Sequence, residues 1–275
     1  MITYVAARPL CPLFDRPDEG AERVDELLSG WPVDRPEACS GSWWKVRTHY
    51  GYTGWLPRAW LVPDDGWSAA PRLVVTALFA DLLSGPEVER PVLATLPRGA
   101  LVRPLPGPCP DGWQQVLLPD GQKGYTKRNF LAEYSVSPPL LPEDQLRAQV
   151  VARAKSYLGV QYRWGGKSPM GIDCSGLTFM SWFFSGVLLY RDAKLVPGYP
   201  ARPIPPEQCR PADLLYFPGH IALYLGEGRY IHSTARAGSD GVVINSLDPT
   251  HPDYRPDLPD KLLTGGTVFP LSPRI

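Results

Sequence analysis

Two segments of this 275-residue chain align without a gap at a displacement of seventy positions. Trp43, Val46, Gly51, Gly54, Trp55, Arg58, Trp60 and Leu61 fall on Trp113, Val116, Gly121, Gly124, Tyr125, Arg128, Phe130 and Leu131. Eight matches with aromatic exchanged for aromatic mark an internal repeat. Each copy has apolar–polar alternation (Trp43-Trp44-Lys45-Val46-Arg47 in the first), a glycine-bearing turn and a second short run, which together predict a β-hairpin. A further strand is expected upstream of each, over 26–33 and over 92–102. The first half is thereby constrained to two small all-β barrels, 1–66 and 70–134. Neighbours on a strand point to opposite faces, so one of Trp43 and Trp44 is expected inside and the other outside.

Composition narrows the classes. Pro (33) and Gly (26) are plentiful, but nine Trp and thirteen Tyr require burial or a ligand to stack on, which argues against disorder. Lys plus Arg (28) balances Asp plus Glu (28), so electrostatics give no reason to expect a nucleic-acid or anionic-membrane partner. No apolar run approaches the length of a membrane span. The opening residues lack a basic start followed by an apolar run, so no secretory signal is expected. The five cysteines (Cys11, Cys39, Cys109, Cys174 and Cys209) are odd in number and form no Cys-x-x-Cys pair. That fits a reducing compartment, and a cytoplasmic location is expected. No metal site is expected from their spacing.

Ser135-Val136-Ser137-Pro138-Pro139 reads as a linker to a third domain, 140–275. A helix is expected over 143–158, with Leu146, Val150, Val151, Ala154 and Leu158 on one face and Gly159 at its C-terminal cap. Further on, Asp173-Cys174-Ser175-Gly176 opens an apolar stretch. If Asp173 caps a helix, Cys174 lies in the first turn, where partial positive charge favours thiolate and free amides could hold an oxyanion. The chain has four histidines. Two of them, His220 at the head of Ile221-Ala222-Leu223-Tyr224-Leu225 and His232 at the end of Tyr230-Ile231-His232, flank one expected hairpin. Side by side, one imidazole could take a thiol proton while the other fixes its tautomer.

Residues 146–235 resemble the NlpC-type cell-wall cysteine peptidases. The resemblance rests on Tyr162-x-Trp164-Gly165-Gly166, Asp173-Cys174-Ser175-Gly176-Leu177, Pro211-Ala212-Asp213-Leu214-Leu215-Tyr216-Phe217, the His220 run, and Tyr230-Ile231-His232-Ser233. Each half of the repeat resembles a bacterial SH3-like domain. The combination is similar to the subgroup acting on soluble muropeptides, which cuts after γ-D-Glu when the peptide has a free L-Ala terminus. The resemblance implies an α+β papain-like catalytic domain preceded by two SH3-like barrels, with a small murein peptide as partner, a role in peptidoglycan recycling and no cofactor. It implies Cys174 as nucleophile, His220 as base and His232 as orienting residue. It places Tyr162 near the oxyanion, Trp164 on the groove wall, Asp173 and Ser175 near the D-Glu carboxylate and backbone, and Asp192 toward the substrate's N-terminal side. In that subgroup an acid of the first SH3-like domain captures the L-Ala amine. Glu26 is the candidate here, with Tyr50 or Tyr52 beside it. Lys194-Leu195-Val196-Pro197 departs from the family pattern, and the Pro-rich segment 249–259 has no counterpart and is expected to be a surface connection. An amidase or acyl transferase using the same Cys-His-His set, or a non-catalytic wall-binding module, are the alternative readings.

Overall fold

The computed structural model describes residues 3–107, 110 and 112–270, so Cys109 lies outside the described residues. The chain forms two compact units, Met1–Tyr134 and Ser135–Ile275.

In the first unit the repeat becomes the same hairpin twice. Trp43–Arg47 pairs antiparallel with Thr53–Pro57, and Trp113–Leu117 pairs with Lys123–Lys127. The register is conserved: Val46 faces Gly54 and Val116 faces Gly124. A single 3₁₀ turn, Arg58–Trp60 or Arg128–Phe130, follows each hairpin. The matched glycines have a packing reason. A Cβ at Gly54 would come within 2.8 Å of the Leu13 Cβ, and one at Gly124 within 2.6 Å of the Leu83 carbonyl oxygen, where the next strand crosses.

The expected strands 26–33 and 92–102 are each broken in two. Arg23–Leu28 stops before Gly30 and resumes as Pro32–Val33; Val92–Pro97 stops before Gly99 and resumes as Leu101–Pro104. Gly30 and Gly99 have φ of +81° and +92°, so the chain turns where an extended strand was expected. The two halves also share one unit rather than standing apart. Leu101 N–H donates to the Ser29 carbonyl (2.8 Å), and the fully buried Trp31 donates its Nε1–H to the Gly99 carbonyl (2.8 Å). Trp43 and Trp44 do not divide into one inside and one outside. Both are half-buried, Trp43 edge-on to Phe14 and Trp44 edge-on to Tyr4 with Arg58 over its ring.

The second unit is a six-stranded antiparallel sheet in the order Arg202–Ile204, Thr264–Thr267, Leu214–Phe217, His220–Gly226, Arg229–Thr234, Gly241–Ser246. Helix α1 (Glu143–Lys155) buries Leu146, Val150 and Ala154, and ends early enough that Leu158 is left exposed. Buried Arg147 fastens α1 to the sheet through Asp213 (3.0 Å) and the Pro211 carbonyl (2.7 Å). Helix α2 (Cys174–Phe183) is buried along its whole length and packs on α1 and on the two histidine strands. An all-round apolar helix of this kind is a core element.

The segment 249–259 is not a mere surface connection. Tyr254 bridges to Ser246, Arg255 N–H donates to the Ser246 carbonyl (3.2 Å), and Leu258 joins a core cluster with Leu215, Phe217, Ala222 and Tyr230. Among the described residues, no helix is long and apolar enough to cross a membrane.

Candidate active site

Asp173 starts α2 as its sequence position suggests. Its backbone is extended, and its Oδ1 accepts from Gly176 N–H (2.6 Å), satisfying one orphan amide of the first turn. The carboxylate is also gripped by Arg191, which is almost wholly buried. Arg191 Nη1 donates to Oδ1 (3.0 Å) and Nη2 to Oδ2 (2.8 Å), while Nη1 reaches Ser175 Oγ (2.9 Å) and Nη2 the Gly166 carbonyl (3.2 Å). Ser175 Oγ itself donates to Asp173 Oδ1 (3.1 Å). Asp173 and Ser175 are thus committed to one another and to Arg191, and what they hold in place is the first turn of α2. Arg191 was legible in the sequence only as a neighbour of Asp192.

The sulfur of Cys174 is buried and accepts hydrogen bonds from the amides of Ile221 and Ser175. Ile221 follows His220 in the chain, so the head of the His220–Gly226 strand lies against the start of α2. The thiolate expected from the helix terminus is corrected here. Burial first, and the Asp173 carboxylate second, push the Cys174 thiol up to about 12, against the opposing pull of the Ile221 amide, Arg191 and the Ser175 amide. The favourable amides are present but outweighed by desolvation and an adjacent negative charge.

From His220 a line of polar groups runs away from the sulfur. His220 Nε2 lies 2.7 Å from His232 Nδ1, and His232 Nε2 lies 2.9 Å from Asn245 Oδ1. Asn245 Nδ2 donates to the Asp253 carbonyl (3.0 Å). Arg255, buried beside His232, donates to Thr234 Oγ1 (3.0 Å) and approaches His232 Nε2 to 3.4 Å, with Asp257 as its bidentate counter-ion (2.9 and 3.1 Å). Burial first, then Arg255, lower His220 to about 4; burial and the neighbouring His220 lower His232 to about 3. Both rings are therefore neutral near pH 7, the state in which an imidazole can accept a proton.

Tyr162 stands within the field of this centre. Burial raises its phenol most, and Cys174 and Asp173 raise it further. Trp164 is 59% exposed, and Asp192 is half-exposed with Lys194 at 3.8 Å. Glu26, Tyr50 and Tyr52 belong to the first unit. Glu26 is fully buried with Arg23 at 3.3 Å, and Tyr50 Oη donates to Asp25 Oδ2 (2.5 Å), the acid next to it in the chain. Tyr52 is half-buried, and its amide donates to Thr48 Oγ1 (3.0 Å). Among the described residues no cluster of three or more His, Cys, Asp or Glu is arranged to hold a metal ion.

Comparison with known proteins fits this geometry. The NlpC/P60 family model matches residues 159–255, which span Cys174, His220, His232 and Asn245 and end at Arg255; a bacterial SH3 domain model matches residues 7–62. The chain is 38% identical over 263 residues to Dipeptidyl-peptidase 6 of Lysinibacillus sphaericus, covering 94% of this chain and 96% of that one. The chain belongs to the NlpC/P60 family. It is a cysteine peptidase with an SH3 domain ahead of its papain-like NlpC/P60 domain. It is also 28% identical over 233 residues to a gamma-D-glutamyl-L-lysine dipeptidyl-peptidase of Bacillus cereus, covering 78% of this chain and 63% of that relative. The crystal structure of an NlpC/P60 family protein from Bacillus cereus superposes with a TM-score of 0.79 at 22% identity, covering 98% and 100% of the two chains, which establishes a shared fold.

Asn245, Arg255 and Asp257 escaped the sequence reading. Asn245 sits diagonal to His232, because Tyr230 pairs with Asn245 and His232 with Val243. That relation exists only once the strand register is known.

Proposed function

We propose that the protein hydrolyses the γ-D-glutamyl–diamino acid bond of murein peptides bearing a free N-terminal L-Ala, with Cys174 as nucleophile, His220 as base and His232 as orienting residue. The carrying observation is the hydrogen-bonded line from Asn245 through His232 to His220, ending where the Ile221 amide meets the Cys174 sulfur. The activities for which the two relatives are named, a dipeptidyl-peptidase and a gamma-D-glutamyl-L-lysine dipeptidyl-peptidase, support this substrate class.

With a neutral thiol at rest, His220 takes the proton as sulfur bonds to the γ-carbonyl carbon. The oxyanion is stabilised by amides of the first turn of α2 and by the Tyr162 hydroxyl. Collapse breaks the C–N bond, and the His220 imidazolium gives its proton to the departing diamino-acid amine. Water, deprotonated by His220, then hydrolyses the thioester and restores the thiol. Trp164 walls the substrate groove, and Asp192 faces the substrate's N-terminal side.

The second half of the repeat is read as a second SH3-like barrel, so the domains run 1–66, 70–134 and 140–275. The candidate acid for the L-Ala ammonium is Glu26 of the first barrel, with Tyr50 or Tyr52 as its hydrogen-bonding companion. Such a charge-assisted bond contributes about 1.5–3 kcal/mol. The role is peptidoglycan recycling in the cytoplasm.

Digestion of L-Ala-γ-D-Glu-meso-diaminopimelate and of the L-Lys analogue, read by mass spectrometry, is the test. Cleavage should yield L-Ala-γ-D-Glu and the free diamino acid, and should vanish in Cys174→Ala. Retention of activity in that variant would remove the nucleophile assignment. Unchanged turnover after acetylation of the L-Ala amine would remove the amine capture.

A further inference from the structure

Two groups compete to set the proton positions on the paired imidazoles, and their geometry resolves the competition. A neutral imidazole carries one N–H, so the line His220 Nε2···His232 Nδ1 (2.7 Å) admits two states. In one, His220 carries its proton on Nε2 and donates to His232 Nδ1, leaving the lone pair of His220 Nδ1 open. In the other, His232 donates from Nδ1 and His220 carries its proton on Nδ1, where it cannot accept the thiol proton.

The choice is made at the far nitrogen of His232. Two groups meet His232 Nε2: Asn245 Oδ1 at 2.9 Å and Arg255 Nη1 at 3.4 Å. Arg255 can only donate, so on its own it would place a lone pair on Nε2 and select the inactive state. Asn245 could face His232 with either its oxygen or its nitrogen, and the Asp253 carbonyl decides which. That carbonyl lies 3.0 Å from the other arm of the amide and must receive an N–H there. Turning the amide over would set two acceptor oxygens against each other at that distance. Asn245 Oδ1 therefore faces His232 Nε2 and demands a proton on it, and it does so at shorter range than Arg255. Arg255 is satisfied elsewhere, by Thr234 Oγ1 and by both oxygens of Asp257.

We propose that Asn245, its amide turned by the Asp253 carbonyl, is a positioning residue that fixes both histidines in the tautomer leaving His220 Nδ1 able to take the Cys174 proton. The segment 249–259, which supplies Asp253, Arg255 and Asp257, thereby acts on the histidine pair through Asn245. The inference rests on the Cys–His reading of the site but needs no particular substrate.

Nitrogen-15 NMR of the histidine side chains in the wild-type protein near neutral pH reads the tautomer directly. Pyridine-type Nδ1 and pyrrole-type Nε2 resonances are expected for both His220 and His232; a proton on His232 Nδ1 would overturn the proposal. Variants give an independent arm. Asn245→Leu should lower kcat by about 10²-fold or more, the range of a lost general base, with little change in KM. Asn245→Gln, which keeps both an acceptor for His232 Nε2–H and a donor for the Asp253 carbonyl, should recover at least about tenfold of that loss. Wild-type kcat in Asn245→Leu, or equal loss in the two variants when both keep the wild-type circular dichroism, would also overturn it. If neither variant folds, the wild-type spectrum decides. Failure of the protein to cut any murein peptide would remove the substrate assignment, while the tautomer seen in the wild-type spectrum would still support or refute the role of Asn245.

Discussion

The protonation state of Cys174 is open to a direct test through Asp173. Burial and the Asp173 carboxylate hold the thiol near about 12, and burial and Arg255 hold His220 near about 4. Both shifts, the thiol upward and the imidazole downward, work against moving the proton from sulfur to imidazole at rest. The resting pair is therefore neutral. A thiol at about 12 in place of its ordinary 9.0 has on the order of 10³-fold less thiolate at pH 7, and iodoacetamide should alkylate Cys174 more slowly than a free peptide thiol by about that factor. Asp173→Asn removes the second-largest upward push, while asparagine still serves as an N-cap for α2. Arg191 then lacks its counter-ion and pulls the thiol down further. Alkylation should accelerate about tenfold or more, the effect of a single nearby charge, in a variant shown by melting to remain folded at the assay temperature. Wild-type alkylation faster than the free thiol at pH 6, or slower alkylation in folded Asp173→Asn, would refute the reasoning and restore a preformed thiolate.

Two further outcomes follow from the same network. His220 and His232 titrate lower in the folded chain than the ordinary 6.5, at about 4 and about 3, so below pH 6.5 the unfolded chain binds more protons. The stability they contribute is complete above pH 6.5 and is lost as pH falls toward 3. Urea midpoints between pH 7 and 4.5 should fall more steeply for wild type than for His232→Asn, and parallel curves would contradict it. Arg191→Met leaves the buried Asp173 carboxylate without its fork, and unfolding free energy should drop by about 3–5 kcal/mol, the range for breaking a buried pair. A loss below about 1 kcal/mol in chemical denaturation would show that the pair does not anchor α2.

The parts of the fold that were legible in the sequence depend on short-range periodicity or on identity at a fixed offset. The seventy-residue repeat foretold two hairpins of equal register, Asp173 foretold a capped helix with Cys174 at its first position, and Gly226 to Gly228 foretold the turn between the histidine strands. The strands expected over 26–33 and 92–102 failed at Gly30 and Gly99. Apolar content alone does not reveal a left-handed residue inside a run, and the reason for the turn there is the packing of one half of the repeat on the other.

What the sequence determined by itself was which chemical groups are present and how each is held locally: a thiol at a helix start and two imidazoles on one hairpin. What only the tertiary structure decided was the proton inventory of those groups. Cys174 keeps its proton because burial and Asp173 outweigh the amides around it, and His232 is presented with Asn245 only because strand register sets them diagonally. Acidity and tautomer are sums over every neighbour in space. Here those neighbours (Arg191, Asn245, Asp253 and Arg255) come from parts of the chain that local patterns do not connect to Cys174.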